Sequence, residues 1–64
     1  MTLHELWNTY LTYPKTFIYH DTRSNVEDKL TDPIGMDNFV HNNANKLVLD
    51  FRTDFETSLL WVKF

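Results

Sequence analysis

Sixty-four residues hold one small domain, 1–64, and at that length folding hides only about 60% of the surface that the unfolded chain exposes. With no Cys in the chain, a disulfide scaffold and any thiolate metal site are excluded, so the core has to come from packing alone. Six basic residues against nine acidic ones, a net charge of −3, exclude the basic stripe on which generic binding to a phosphate backbone depends.

The supply of packing groups is ample. Apolar residues make up 42% of the chain, with five Phe, three Tyr and two Trp, and each aromatic ring removes a large area from water. The chain opens without a positively charged segment leading into an apolar run. Its longest apolar stretch, Leu59 to Val62, is too short to span or anchor in a bilayer, and the expectation is a soluble, cytoplasmic protein. Six Asn against one Gly, one Ala, two Arg and two Pro is the balance of an AT-rich genome, which points to a phage or other mobile element as the source.

In chain order, Thr2-Leu3-His4-Glu5 has the form of a capping box. Leu3, Leu6, Trp7, Tyr10 and Leu11 follow at helical spacing until Pro14, which predicts an amphipathic helix over 3–12 whose apolar stripe is core. Lys15 to His20, rich in aromatic and β-branched residues, suits a strand. Asp21 to Asp32 is the most polar stretch and reads as a solvated loop or a single helical turn from Ser24. Asp32-Pro33 looks like a second helix start, and Met36, Phe39 and Val40 have helical spacing, giving a short helix over 33–41. Asn42 to Asn45 reads as a turn.

The last third alternates with a period of two. Leu47, Leu49 and Phe51 alternate with Val48, Asp50 and Arg52; after a polar connection at 53–57, Leu60, Val62 and Phe64 alternate with Leu59, Trp61 and Lys63. Two strands in an antiparallel hairpin follow. One face, Leu47/Leu49/Phe51 with Leu60/Val62/Phe64, is wholly apolar and is the expected seat of the first helix. Phe64 ends the last strand, so its loss should damage the fold. The expected architecture is α+β: an N-terminal amphipathic helix packed on a small, largely antiparallel three-stranded sheet with a C-terminal hairpin.

Chemistry is sparse. His4, His20 and His41 are isolated in sequence, without the spacing of a metal site. The acidic residues after Asp21 miss the pattern of a calcium loop. Neither Ser24 nor Ser58 lies in a nucleophile elbow, and a single Gly cannot build a phosphate-cradling loop. The expectation is no catalytic residue, no metal and no cofactor. What is left over is the mixed face of the hairpin. Trp61, with Leu59 and Val48 beside it and Arg52 and Lys63 at the rim, is either covered within the chain or is a partner-binding patch with an aromatic anchor, aliphatic neighbours and a polar border. The function this favours is stoichiometric binding of another protein, as an inhibitor, adaptor or regulatory subunit, or self-association as a homodimer. The alternative is single-stranded nucleic acid stacked on Trp61 and neutralised by Arg52 and Lys63.

Overall fold

In a computed structural model, which describes residues 1–9 and 12–64, the capping box forms as the sequence implies. The Thr2 hydroxyl accepts from the Glu5 N–H at 3.2 Å and the Glu5 carboxylate accepts from the Thr2 N–H at 2.9 Å. This opens helix α1 (Leu3–Trp7), which presents Leu3 and Leu6 to the core. The helix stops well short of residue 12. Thr9 directs both its hydroxyl, at 2.7 Å, and its N–H, at 3.1 Å, to the Leu6 carbonyl, the kind of local side-chain bond that competes with helix continuation. Tyr10 and Leu11, the far end of the expected stripe, lie outside the described residues.

Strand β1 (Thr16–Asp21) follows, then β2 (Val26–Leu30), helix α2 (Pro33–Asn42), β3 (Asp50–Asp54) and β4 (Leu59–Lys63). The class is α+β, and the four strands form one sheet in the order β2-β1-β4-β3. The sheet is largely antiparallel as expected, two of its three pairings being so, but it departs from the expected three strands in two details. First, 26–30, expected as loop or helical turn, is a strand. It carries no apolar alternation because it is an edge strand whose residues 26–29 are exposed, and it is held by antiparallel pairing with β1 from Phe17↔Leu30 to Asp21↔Val26. Second, the two central strands, β1 and β4, run parallel, from Thr16↔Leu59 to His20↔Lys63. A parallel pair needs a long connection, and here β2, α2 and β3 supply it.

Helix α2 begins where Asp32-Pro33 places it, with the Asp32 carboxylate accepting from the Gly35 N–H at 3.1 Å. Met36 and Val40 are its buried residues. They join Leu3 and Leu6 of α1 with Phe17, Leu60, Val62 and Phe64 in a single core, against which Trp7, Tyr19, Leu30, Phe39 and Val48 also pack. Both helices therefore lie on one face of the sheet. Aromatic rings run through this core in contact: Trp7 meets Phe17 edge-on at 5.4 Å, and Phe39 stacks on Tyr19 at 4.1 Å and lies 5.9 Å from Phe64.

The apolar face predicted for the hairpin is half right. Leu60, Val62 and Phe64 are buried, but Leu47 and Leu49 are 66% and 64% exposed, and Phe51 is 42% exposed. The chain does not run as one strand from 47 to 52. Residues 46–48 pair with the start of the chain, with Leu3 N–H to Lys46 O and Val48 N–H to Met1 O both at 2.9 Å, and β4 is joined only near Leu49. Period-two alternation cannot carry across such a change of partner. It is Val48 that packs against the core.

Candidate functional site

Alternation along β4 sends Leu60 and Val62 under the helices and Leu59, Trp61 and Lys63 to the opposite face. The registers then fix their neighbours. Trp61 lies between Ile18 of β1 and Arg52 of β3; Lys63 lies between His20 and Asp50; Leu59 lies between Thr16 and Asp54. Trp61, Leu59, Arg52 and Lys63 thus share one face, as expected. Val48 does not: it belongs to the segment before β3 and turns into the core, so it is removed from the patch.

Trp61 is half-buried by its own chain. The Arg52 guanidinium sits 5.4 Å from the ring centroid, a cation–π distance. On the other side the indole N–H donates to Glu27 Oε1 at 3.2 Å, reaching across β1 to β2. His20 Nδ1 lies 3.8 Å from the same oxygen. Glu27, His20 and Ile18 were missing from the sequence-derived patch, because only the β1–β2 pairing brings them there; the Ile18/His20 alternation was the one linear signal. Around Trp61, Arg52, Lys29 and Lys63 are interleaved with Glu27, Asp50 and Asp54.

A second surface lies at the edge of the sheet. Phe51 sits on the helix side, opposite Val62, and is left partly exposed. Phe55 in the following turn is 89% exposed, with Met1 exposed on the same groove, while Leu47 and Leu49 are exposed beyond the other end of β3. Between this edge and the α1–β1 connection runs a groove of about 560 Å3 whose walls include Met1, Leu6, Pro14, Phe51, Phe55 and Leu59. A hollow of about 580 Å3 at the end of α2 has a mixed lining, with Arg23, His41 and Lys46 beside Leu47, Leu49 and Phe64. Its cations are partly engaged: Lys46 Nζ lies 3.5 Å from Asp21 and 5.1 Å from the centre of the Phe64 ring. Burial of the Asp21 carboxyl raises its pKa, but the Arg23 N–H, the Lys46 charge and Ser24 together outweigh this and hold it below its usual value.

Among the described residues no three His, Asp or Glu side chains gather as metal ligands. His4 pairs with Asn8 at 3.1 Å, His20 faces Glu27, and His41 lies in the last turn of α2. Among the described residues no helix is long and apolar enough to cross a membrane. No protein-family model matches the chain, and neither the curated proteins nor the solved structures compared with it include a match.

Proposed function

We propose that this protein acts by stoichiometric binding of another protein chain, as an inhibitor, adaptor or regulatory subunit, through the surface around β3. The observation that carries the reading is an apolar groove beside the edge strand β3, walled by the exposed Met1, Phe51 and Phe55, with Leu49 exposed at the other end of that strand. Exposed apolar side chains around a groove on a small domain are characteristic of an interaction site. Trp61 and Arg52, on the opposite face of the sheet, are the residue types that dominate binding energy in such contacts. Nucleic acid draws less support, since each cation beside Trp61 has a carboxylate as a neighbour and the chain is acidic overall.

The test is affinity capture from a lysate of the source cells with the wild-type chain and with Leu49→Asp and Phe55→Asp. Both positions are exposed, so the variants should fold. A protein retained in near-equimolar amount by the wild type and lost from both variants is the expected result. Nothing retained above a blank resin, or retention that ignores both substitutions, refutes the reading.

A further inference from the structure

Among the described residues β2 and β3 are the edges of the sheet, and an edge strand is a template for pairing with another chain. Resting on the reading above that the β3 surface binds protein, we propose that the partner is a second copy of this chain, added antiparallel along β3 with Phe51 opposite its own counterpart. Asp50-Phe51-Arg52 is self-complementary. In a two-fold pairing centred on Phe51, Asp50 comes opposite Arg52 of the partner subunit, and Arg52 opposite the partner's Asp50. Two ion pairs then form on the Trp61 face, with two aromatic rings adjacent on the helix side. Opposite charges and aromatic pairs directly across strands stabilise a register, and like charges destabilise it. Moving the centre by one residue to Arg52 sets arginine against arginine and Asp50 against the partner's Asp54; a centre at Thr53 would match Arg52 with the partner's Asp54, so the register is marked by Asp50, which meets Arg52 of the partner subunit only when Phe51 is central.

The other edge lacks this property. A two-fold pairing of β2 that matches Glu27 with Lys29 places Asp28 against itself at the centre, and Glu27 is already held by Trp61 and His20. At β3, by contrast, the Phe51 N–H now goes to the Asp50 carboxylate at 2.9 Å. Pairing gives that N–H a backbone carbonyl and frees the carboxylate for Arg52 of the partner subunit. It also covers part of the exposed Phe51, with Leu49 and Phe55 at the ends of the paired segment.

The experiment is sedimentation equilibrium on the purified chain from about 1 μM to about 1 mM, a range in which moderate self-association is resolved. The mass should rise with concentration from 7.7 kDa to twice that value. Asp50→Arg and Arg52→Asp should each weaken the dimer by roughly tenfold or more, and the double exchange should restore it to within about threefold of wild type. Circular dichroism checks that each variant folds. If Arg52→Asp unfolds through loss of its contact with Trp61, Asp50→Arg gives the same reading with that contact intact, and the Phe51 amide of the wild type should exchange more slowly as concentration rises. A chain that stays at monomer mass throughout, a dimer indifferent to either exchange, or one the double exchange fails to rescue overturns the proposal. A monomer that still captures a different protein through Leu49 and Phe55 leaves the protein-binding reading standing and removes this one.

Discussion

Asp37 shows how a single side chain joins segments far apart in sequence. From α2 its two carboxylate oxygens accept from the Trp7 indole N–H, at 3.2 Å, and from the Tyr13 hydroxyl. That hydrogen bond, with some burial and the negative charge of Asp37 adding to it, holds the Tyr13 hydroxyl above its ordinary pKa. The sign follows from linkage. A group whose pKa is raised on folding contributes stability that is complete below its unfolded value, near 10, and is lost as pH rises through the folded value. Ultraviolet titration should find Tyr13 ionising later than a free tyrosine, and Asp37→Ala should bring it back to the ordinary range; an unchanged titration would refute the clamp. At the opposite end of the pH scale, the Thr2 N–H and hydroxyl hold the Glu5 carboxyl below its usual value, so the capping box is intact above the ordinary carboxylate range and opens as pH falls through the lowered value.

Among the elements, the helix starts were the most legible, since capping at Thr2 and Asp32 is a local matter of one side chain and the next few amides. The edge strand β2 was not, because nothing in Val26-Glu27-Asp28-Lys29 alternates; its signal lay in its turn. Both hairpins close through four residues, from Asp21 to Val26 and from Asp54 to Leu59. In both, the leading Asp accepts an amide two residues on, from Arg23 and from Glu56, and the last turn residue, Asn25 or Ser58, is left-handed, with φ of 54° and 53°. The likeness of Asp-Thr-Arg-Ser-Asn-Val to Asp-Phe-Glu-Thr-Ser-Leu was present in the sequence. The candidate patch was legible for Trp61, Leu59, Arg52 and Lys63, whose strand is regular, and failed at Val48, where the chain changes partner. Two substitutions follow from these geometries. Ser58 occupies a conformation that suits glycine, so Ser58→Gly should gain a few tenths to about 1 kcal/mol. Gly35 is helical, and a Cβ there would meet only Asp32 atoms at 3.6 and 3.8 Å, ordinary contact distances, so Gly35→Ala should also gain about 0.5–1 kcal/mol. Urea unfolding measures both, and a loss at either site contradicts the geometry.

At the scale of the whole molecule, five aromatic side chains lie in or against the core. Trp7, Phe17, Tyr19, Phe39 and Phe64 form one connected set beneath the helices, while Phe51 and Phe55 remain outside. Phe64 is tied at both backbone groups, its N–H to His20 O at 3.0 Å and its carbonyl to the Thr22 N–H at 2.8 Å, and its ring is buried. Phe64→Ala should cost about 3–5 kcal/mol, a large share of what a domain this size has to lose. Tryptophan fluorescence and far-ultraviolet circular dichroism should lose structure together in urea, because Trp7 in the core and Trp61 on the sheet report on the same central strands. Separated transitions would show that the core and the sheet melt independently.

The parallel pairing of β1 with β4 sets an order on the birth of the molecule. Thr16–His20 finds its central neighbour only in Leu59–Lys63, more than forty residues later. During synthesis the first hairpin waits as a two-stranded ribbon, marginal in water on its own, with only α1 and α2 to pack against it. Closing the sheet then requires joining distant segments, the slow kind of contact. A nascent chain cut short anywhere before β4 has no centre to its sheet, so quality control meets either an unfolded ribbon or the finished domain, with little between them.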